Sequence, residues 1–424
     1  MRMLSAVALS LALAGAAQAA EPRAVVVKIA DQIAARYFDA DKGAALAAEL
    51  KAEAAKGVYD KYAAPLDLAQ ALTVRLKPQD SHFNVTWSAN PPGPSTVSGV
   101  QRPGEVSEAD RRQNFGFRGV EVLPGNVAVI NMGFFAHFRS PEDPAKAAAD
   151  AAMTLASGAD AVIFDLRDNG GGSPAMVGYL VGHFVPEGAD VYNTFKSRGP
   201  DRYERPPEAP KTGRRLETPV YVLVSGRTAS AAESFSYTLQ SAKRAIIVGE
   251  ATAGGANPGG FAQVGDGFAV FVSSGSPVNP ITRKNWEGTG VIPDVVARSG
   301  EALVKAQQLA LTKVVEGQGS ELARAEAKWA LEALSPAATV PPKALADYAG
   351  AYGVRSVKVD GGRLVVAHDR RPPVALKPLA KDTFAVEGAN VPIRVTFDRD
   401  PAGKVTGMVQ STSDGHSTRF ARTS

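Results

Sequence analysis

The chain has 424 residues, too many for one ordinary domain, so two or three domains are expected. Its apolar share of 45% and charged share of 21% are those of a globular protein, and the net charge of +4 is spread without a basic block, so no nucleic-acid partner is indicated. The absence of cysteine excludes disulfides, zinc–thiolate sites and a cysteine nucleophile.

Residues 1–20 have the composition of a secretory signal peptide. Arg2 precedes a short apolar run, and the segment ends in the small residues Ala17-Gln18-Ala19. This pattern predicts cleavage near Ala19 or Ala20, and the apolar run is too short to span a bilayer. We therefore expect a bacterial protein that is periplasmic or secreted and has no membrane span.

Residues 21–95 are predicted to form an N-terminal helical domain. Apolar residues recur there at helical spacing, as at Ile29, Ile33, Leu46 and Leu50. The run Ser88–Ser95 is rich in proline and indicates a linker at the end of this domain.

Residues 96–335 alternate strand and helix signals, which predicts an α/β core. Short apolar runs predict strands at residues 127–131, 161–166 and 220–224. Ser140 and Pro141 have the residue types of an N-cap and a first helical turn, so a helix is expected to begin there. The second strand leads into three glycines, and the third delivers Ser230 to the start of a helix.

The last 120 or so residues of the chain have a different pattern of predicted elements from the core. A helical run is predicted from Ala302 to about Leu334, followed by a C-terminal β module at residues 336–424. Alternating strands at 363–368 and 391–397 are separated by turn residues such as Gly361-Gly362. The opening Tyr348-Ala-Gly-Ala-Tyr352 resembles that of the small β-barrel appended to many secreted bacterial hydrolases.

Three short segments of the core stand at the order and spacing of a serine hydrolase: Val224–Glu233 (VSGRTASAAE), Gly249–Gly260 (GEATAGGANPGG) and Trp286–Asp294 (WEGTGVIPD). Together they resemble the C-terminal processing (tail-specific) protease family. They are most similar to its branch without a PDZ domain, which includes the tricorn protease core and the repeats of interphotoreceptor retinoid-binding protein. The resemblance implies a crotonase/ClpP-like sheet with the site at strand ends, and a serine peptidase acting on peptide or protein substrates.

That family has two catalytic solutions, a Ser-Lys dyad and a Ser-His-Ser-Glu tetrad. The position of the dyad lysine is occupied here by Gly255, so the dyad lacks its base. The tetrad takes its base from an upstream Ser-His pair, which Ser81 and His82 supply, and its acid precedes a Gly-x-Gly-Val segment, where Glu287 stands. The resemblance thus implies Ser230 as nucleophile, His82 as general base, and Ser81 and Glu287 as the residues that orient the base.

A serine nucleophile also needs an oxyanion hole, because negative charge develops on the substrate carbonyl. Backbone N–H groups are free at the start of a helix, so Ala231 is the expected first donor. The second is expected from the glycine run, with Gly171 and Gly172 as candidates. Ser230 and Glu233 also have capping-box spacing, so a plain helix cap is the alternative role for Ser230, and Glu233 is interpreted as structural.

Two other functions remain open at this point. A non-catalytic module that binds apolar ligands shares the fold, and a serine esterase could use the same residues, since Ser-His chemistry does not fix the acyl substrate. No PDZ-like segment fits between residues 98 and 118. No metal or organic cofactor is indicated, because the acidic residues lack ligand-like clusters with histidine. The sequence leaves the oligomeric state undetermined.

Overall fold

The computed structural model of the protein describes residues 21–90, 107–138, 140, 142–203, 209–369, 371–389 and 391–423. The predicted signal peptide, most of the predicted linker and Pro141 lie outside these residues. No helix in the described ranges is both long and apolar enough to cross a membrane.

The helices are α1 (Pro22–Arg36), α2 (Ala40–Ala55), α3 (Pro65–Leu76), α4 (Glu108–Arg112), α5 (Pro144–Leu155), α6 (Pro174–Val181), α7 (Ala231–Ser241), α8 (Ala302–Glu316), α9 (Glu321–Leu334) and α10 (Pro342–Leu345). The strands are β1 (Asn84–Trp87), β2 (Phe117–Leu123), β3 (Val127–Met132), β4 (Ala161–Asp165), β5 (Thr194–Lys196), β6 (Arg202–Tyr203), β7 (Val220–Val224), β8 (Ala245–Gly249), β9 (Gly259–Gly265), β10 (Phe268–Ser273), β11 (Ser276–Val278), β12 (Val295–Val296), β13 (Gly350–Tyr352), β14 (Arg355–Asp360), β15 (Arg363–His368), β16 (Val374–Ala380), β17 (Thr383–Val386), β18 (Ile393–Arg399), β19 (Val405–Thr412) and β20 (Ser417–Ala421).

The chain forms two compact units. The first contains the described residues of 1–100 together with 196–200 and 257–276, and the second contains the described residues of 101–195, 201–256 and 277–424. The predicted border at 95 and 96 lies outside the described residues. Residues 257–276, which the sequence analysis assigned to the core, pack in the first unit.

The first unit contains the predicted helices and, in addition, a three-stranded antiparallel sheet in the order β1-β10-β9. One face of this sheet is apolar, with Val85, Ala262 and Val270 buried in a cluster that includes residues of α1, α2 and α3. A four-residue strand such as β1 is too short to bury this helical surface alone. Strand β9, whose residues alternate between buried and exposed from Phe261 onward, and the largely buried apolar strand β10 complete the sheet.

The core of the second unit is a six-stranded sheet in the order β12-β8-β7-β4-β3-β2. Neighbouring strands are parallel except β2 and β3. Residues of β4 and β7 alternate between two apolar clusters: Phe164 packs in the cluster containing α5, α6 and α7, whereas Ile163 and Leu223 pack in the cluster containing α8 and α9. Because helices cover both faces, the central strands are apolar throughout. The predicted α/β core is confirmed.

Two predicted helices differ in the structure. The helix expected at Ser140 begins at Pro144, because the Asp143 side chain is the N-cap and accepts the Ala145 N–H at 3.0 Å. The single run predicted from Ala302 is two helices. The first ends before Gly317, and Ser320 caps the second by accepting the Ala323 N–H at 3.1 Å.

The C-terminal module is a meander of eight antiparallel strands, β13 to β20 in sequence order. A bridge between Tyr352 and Arg422 joins its first strand to the end of the chain, so the sheet is nearly closed, as the sequence predicted. Its interior is aromatic, with Tyr348, Phe384 and Phe397 in mutual ring contact. Helix α9 connects to the module through Lys377, which donates to the Ala333 carbonyl at 2.6 Å.

Candidate active site

Ser230 lies at the end of the turn that follows β7, immediately before α7. Its backbone has φ 55° and ψ −119°, in the left-handed region that non-glycine residues rarely adopt. Two hydrogen bonds fix the turn to the segment that follows β4: the Thr228 hydroxyl donates to the Leu166 carbonyl at 2.7 Å, and the Ala229 N–H donates to the Asn169 carbonyl at 3.1 Å. The strained serine is therefore held by its surroundings.

Glu233 is fully buried on the first turn of α7. One carboxylate oxygen accepts the N–H groups of Ser230 at 2.7 Å and Gly255 at 2.9 Å. The other accepts the Thr252 hydroxyl at 2.5 Å and the Gly254 N–H at 2.6 Å. This carboxylate therefore joins the serine turn to the loop that follows β8, in agreement with a structural role.

Gly171 packs closely against Ser230. It is buried with φ 112°, and a methyl group in its place would lie 2.7 Å from the Ser230 Cβ and 2.9 Å from the Ala229 carbonyl oxygen. Such distances are shorter than carbon and oxygen atoms tolerate. Only glycine fits at this position, so the role of Gly171 is to leave space for Ser230 and the Ala229 carbonyl.

The same glycine is a poor candidate for an oxyanion donor. Its N–H already donates to the Asn169 side-chain oxygen at 2.9 Å. Gly172 is exposed and has φ 135°, and its backbone is held by a parallel bridge to Phe135. Among the described residues no acceptor is recorded for the N–H of Gly172 or of Ala231. These two N–H groups remain the available donors.

Glu287 lies in a tight turn next to the buried Trp286. Its Oε2 accepts the Ala256 N–H at 2.9 Å, and its own N–H donates to the Asn285 side chain at 2.9 Å. The following N–H, of Gly288, donates to the Gly254 carbonyl at 2.8 Å. Glu287 and Glu233 thus hold the same loop from two sides, and this loop carries Gly255 where the dyad enzymes have lysine.

Ser81 and His82 belong to the first unit, in the turn between α3 and β1. Ser81 is exposed and His82 is half-buried. The Nδ1 of His82 lies 3.1 Å from the Oδ1 of Asp80, which also accepts the His82 backbone N–H at 2.9 Å. The ring of Phe271 stacks on the imidazole, with centroids 6.0 Å apart and planes inclined by 27°.

Asp80 is a residue that the sequence analysis missed. Burial alone would raise the pKa of its carboxyl group, but the hydrogen bonds from the ring and backbone of His82 lower this pKa to about 2. Asp80 is therefore ionised at any ordinary pH. The signal in the sequence was its position two residues before the histidine. A short acidic side chain there can accept the backbone N–H of the residue two positions later, here His82.

The second unit therefore brings together Ser230, Ala231, Gly171 and Gly172, and it holds Glu287 by the neighbouring loop. The first unit holds Ser81, His82 and Asp80 in one turn. Ser230 has the local features of an activated nucleophile: a strained backbone, a helix start and glycines beside it.

Residues 126–297 match the model of the family described as Peptidase family S41. Similar relatives are the carboxyl-terminal-processing peptidase 1, chloroplastic, of Arabidopsis thaliana, 33% identical over 145 residues, and the carboxyl-terminal-processing protease of Synechocystis sp., 30% identical over 139 residues. Each alignment covers 33% of this chain, and 28% and 31% of the respective relatives. The matched part of the chain thus spans less than a third of the length of these curated relatives.

Among solved structures, the photosystem II D1 C-terminal processing protease is 19% identical, with a TM-score of 0.42. That similarity covers 66% of this chain and 93% of the other. The family match and the curated relatives support the resemblance seen in the motifs: residues 126–297 match a peptidase S41 domain, and this part of the chain is similar to carboxyl-terminal-processing proteases.

Proposed function

We propose that the chain is a serine-type peptidase that hydrolyses peptide bonds with Ser230 as its nucleophile. The observation that carries this proposal is the backbone of Ser230, with φ 55° at the start of α7 and Gly171 packed against it. A helix cap does not require a positive φ, since N-cap residues ordinarily adopt the extended region. Strain of this kind is characteristic of serines that are exposed for attack on a carbonyl group.

In the proposed reaction the Ser230 hydroxyl attacks the scissile carbonyl and its proton passes to His82. The oxyanion that forms is stabilised by the N–H groups of Ala231 and Gly172, for which the described residues supply no acceptor. His82 then gives the proton to the leaving amine, and the acyl-enzyme is hydrolysed by water activated in the same way. Ser81 and Glu287 are proposed to complete the tetrad by orienting the base.

A lysine dyad is not supported by the loop after β8. The N–H of Gly255 is committed to Glu233, and Gly255 offers no side chain that could act as a base.

The cellular setting and the substrate are also proposals. The composition of residues 1–20 supports export, with a mature chain beginning at Ala20 or Glu21 in the periplasm or medium. The names of the curated relatives support peptide or protein substrates processed near a carboxyl terminus. N-terminal sequencing of the native protein tests export, and an intact Met1 would contradict it.

Labelling by a fluorophosphonate probe, followed by peptide mapping, tests the nucleophile. We expect one labelled peptide, containing Ser230, and loss of both labelling and peptidase activity in Ser230→Ala. The matched control is Ser157→Ala, which removes an exposed hydroxyl from the end of α5 and should be labelled like the wild type. Label on another serine in the Ser230→Ala protein would refute the assignment.

A further inference from the structure

The turn that carries His82 contains a carboxylate that the proposed tetrad does not use. Asp80 is 8% exposed, and its Oδ1 faces both the Nδ1 and the backbone N–H of His82 at 3.1 and 2.9 Å. A catalytic imidazole needs a partner on one nitrogen so that the other presents a lone pair. Asp80 is placed on Nδ1, and in the proposed mechanism the other ring nitrogen, Nε2, takes part in the proton transfer.

We propose that Asp80 is the positioning residue that fixes the tautomer and orientation of His82. This proposal rests on the proposed function, in which His82 is the general base. It adds Asp80, through its contact with Nδ1, to Ser81 and Glu287 as a residue that orients the base.

The backbone around Asp80 is fixed on both sides. The Asp80 carbonyl accepts the Phe83 N–H at 3.1 Å, and the preceding Gln79 donates its N–H to the Leu76 carbonyl at 2.9 Å. The ammonium of Lys42 donates to the Gln79 carbonyl at 2.8 Å and so lies at the start of the same turn. The backbone that carries the Asp80 carboxylate is therefore held by hydrogen bonds on both sides.

The ring of His82 is also restrained on its face. Phe271 stacks on it, and Phe271 is itself held by pairing with Asn84 on one side and Phe261 on the other. Gly259 makes this possible, since a methyl group there would lie 2.6 Å from the Phe271 ring. Asp80 thus holds the imidazole through Nδ1, while the stacked ring of Phe271 limits its rotation.

The charge of Asp80 has a further effect. A carboxylate in contact with an imidazole stabilises the imidazolium, which is the form of His82 after it takes the serine proton. Because the pKa of Asp80 is lowered to about 2, the carboxylate stays ionised throughout the working range of the base. Asp80 should therefore contribute both geometry and charge.

The deciding experiment compares Asp80→Asn with the wild type by NMR of isotope-labelled histidine. Asparagine retains the oxygen that accepts the His82 N–H but loses the charge, so the turn should persist. The His82 signals are identified by their absence in His82→Gln. The control is Asp31→Asn, an exposed carboxylate of the same unit that pairs with Lys51.

We expect the wild-type ring to carry its proton on Nδ1, and the pKa of His82 to fall by about 1 unit or more in Asp80→Asn. In peptidase assays Asp80→Asn should lower kcat by about 100-fold or more with little change in KM, and the acid limb of the pH profile should move to lower pH. Asp80→Glu should recover part of the loss, and Asp31→Asn should match the wild type.

An unchanged His82 pKa and tautomer in Asp80→Asn would overturn the proposal, as would a kcat within about threefold of the wild type. If Asp80→Asn fails to fold, the measurements are repeated on Phe271→Leu, where a freely rotating ring should lower kcat but leave the tautomer on Nδ1. The NMR result does not depend on peptidase activity. An inactive wild-type protein whose His82 pKa still falls in Asp80→Asn would refute the proposed function and leave the positioning by Asp80 intact.

Discussion

The Glu233 carboxylate accepts the backbone N–H of Ser230 at 2.7 Å from within the helix that the serine begins. It has no solvent exposure and takes three further hydrogen bonds, from Thr252, Gly254 and Gly255. The backbone conformation of Ser230 therefore depends on a buried carboxyl group of the helix that the serine begins.

Replacing Glu233 by glutamine should destabilise the protein and the serine turn together. A glutamine has one acceptor oxygen, so its amide group would face two of the four donors and leave them unsatisfied, at a cost of about 2–4 kcal/mol in unfolding free energy. Denaturant unfolding and probe labelling measure the two effects. Glu301→Gln removes an exposed carboxylate and should change neither. Equal stability of Glu233→Gln and wild type would contradict the buried network.

Gly171→Ala should disable the nucleophile, whereas Gly170→Ala should not. The added methyl group at 171 would collide with the Ser230 Cβ, but at 170 no atom lies within 4 Å. We expect kcat to fall by about 100-fold or more for Gly171→Ala, comparable with the loss of one oxyanion contact. Steady-state kinetics on one short peptide measure kcat for the two variants and the wild type. A Gly171→Ala enzyme as active as Gly170→Ala would show that the close packing of residue 171 against Ser230 is not required for activity.

The two mechanisms of the family predict different orders of activity. If the tetrad operates, His82→Ala should lower kcat by several orders of magnitude, and Glu287→Gln should cost less because an orienting group does not transfer the proton. Gly255→Lys should not rescue His82→Ala. The kcat/KM profile should rise through about pH 6–7, the range of an ordinary imidazole. A profile rising only above about pH 8 would favour a lysine base such as Lys284.

His183 should make the fold sensitive to acid. Burial lowers the pKa of this histidine to about 4, and its Nε2 has no hydrogen-bond partner in the described part of the chain. The unfolded chain binds the proton near pH 6.5, so the native state loses stability as pH falls from about 6.5 to 4, by up to about 3 kcal/mol, and is unaffected above that range.

His183→Asn provides the test, because asparagine can keep the bond to the Tyr179 carbonyl without titrating. The difference in unfolding free energy between pH 7 and pH 4.5 should shrink in this variant. His416→Asn, at an exposed ring, should retain the wild-type difference. Parallel acid dependence in all three proteins would show that His183 is not the cause.

The C-terminal module should be dispensable for chemistry but not for stability. Every proposed catalytic residue precedes it, yet Arg394 lies over the Trp329 ring of α9 at 4.0 Å and pairs with Glu332. Truncation at about residue 340 uncovers this face of α9, so the melting temperature should drop while small-peptide turnover persists. Loss of turnover in a truncated protein that still folds would contradict the prediction.

The sequence predicted those features that local patterns control. Apolar runs correctly predicted β3, β4 and β7, and Ser230 was correctly expected before a helix. The positive φ of Ser230 could not be predicted, because it is imposed by Glu233 and by the turn bonded to β4. The sheet of the first unit was missed for another reason: Val85 pairs with Val270, and no local pattern shows a contact between residues so distant in the chain.

That distant pairing also sets an order of events during protein synthesis. Strand β1, which follows His82, has no partner until the ribosome has made residues 268–273, well after it has made Ser230. The stacking of Phe271 on His82 must wait equally long. A nascent chain therefore contains Ser230, the proposed nucleophile, before it can form the stacking of Phe271 on the proposed base His82.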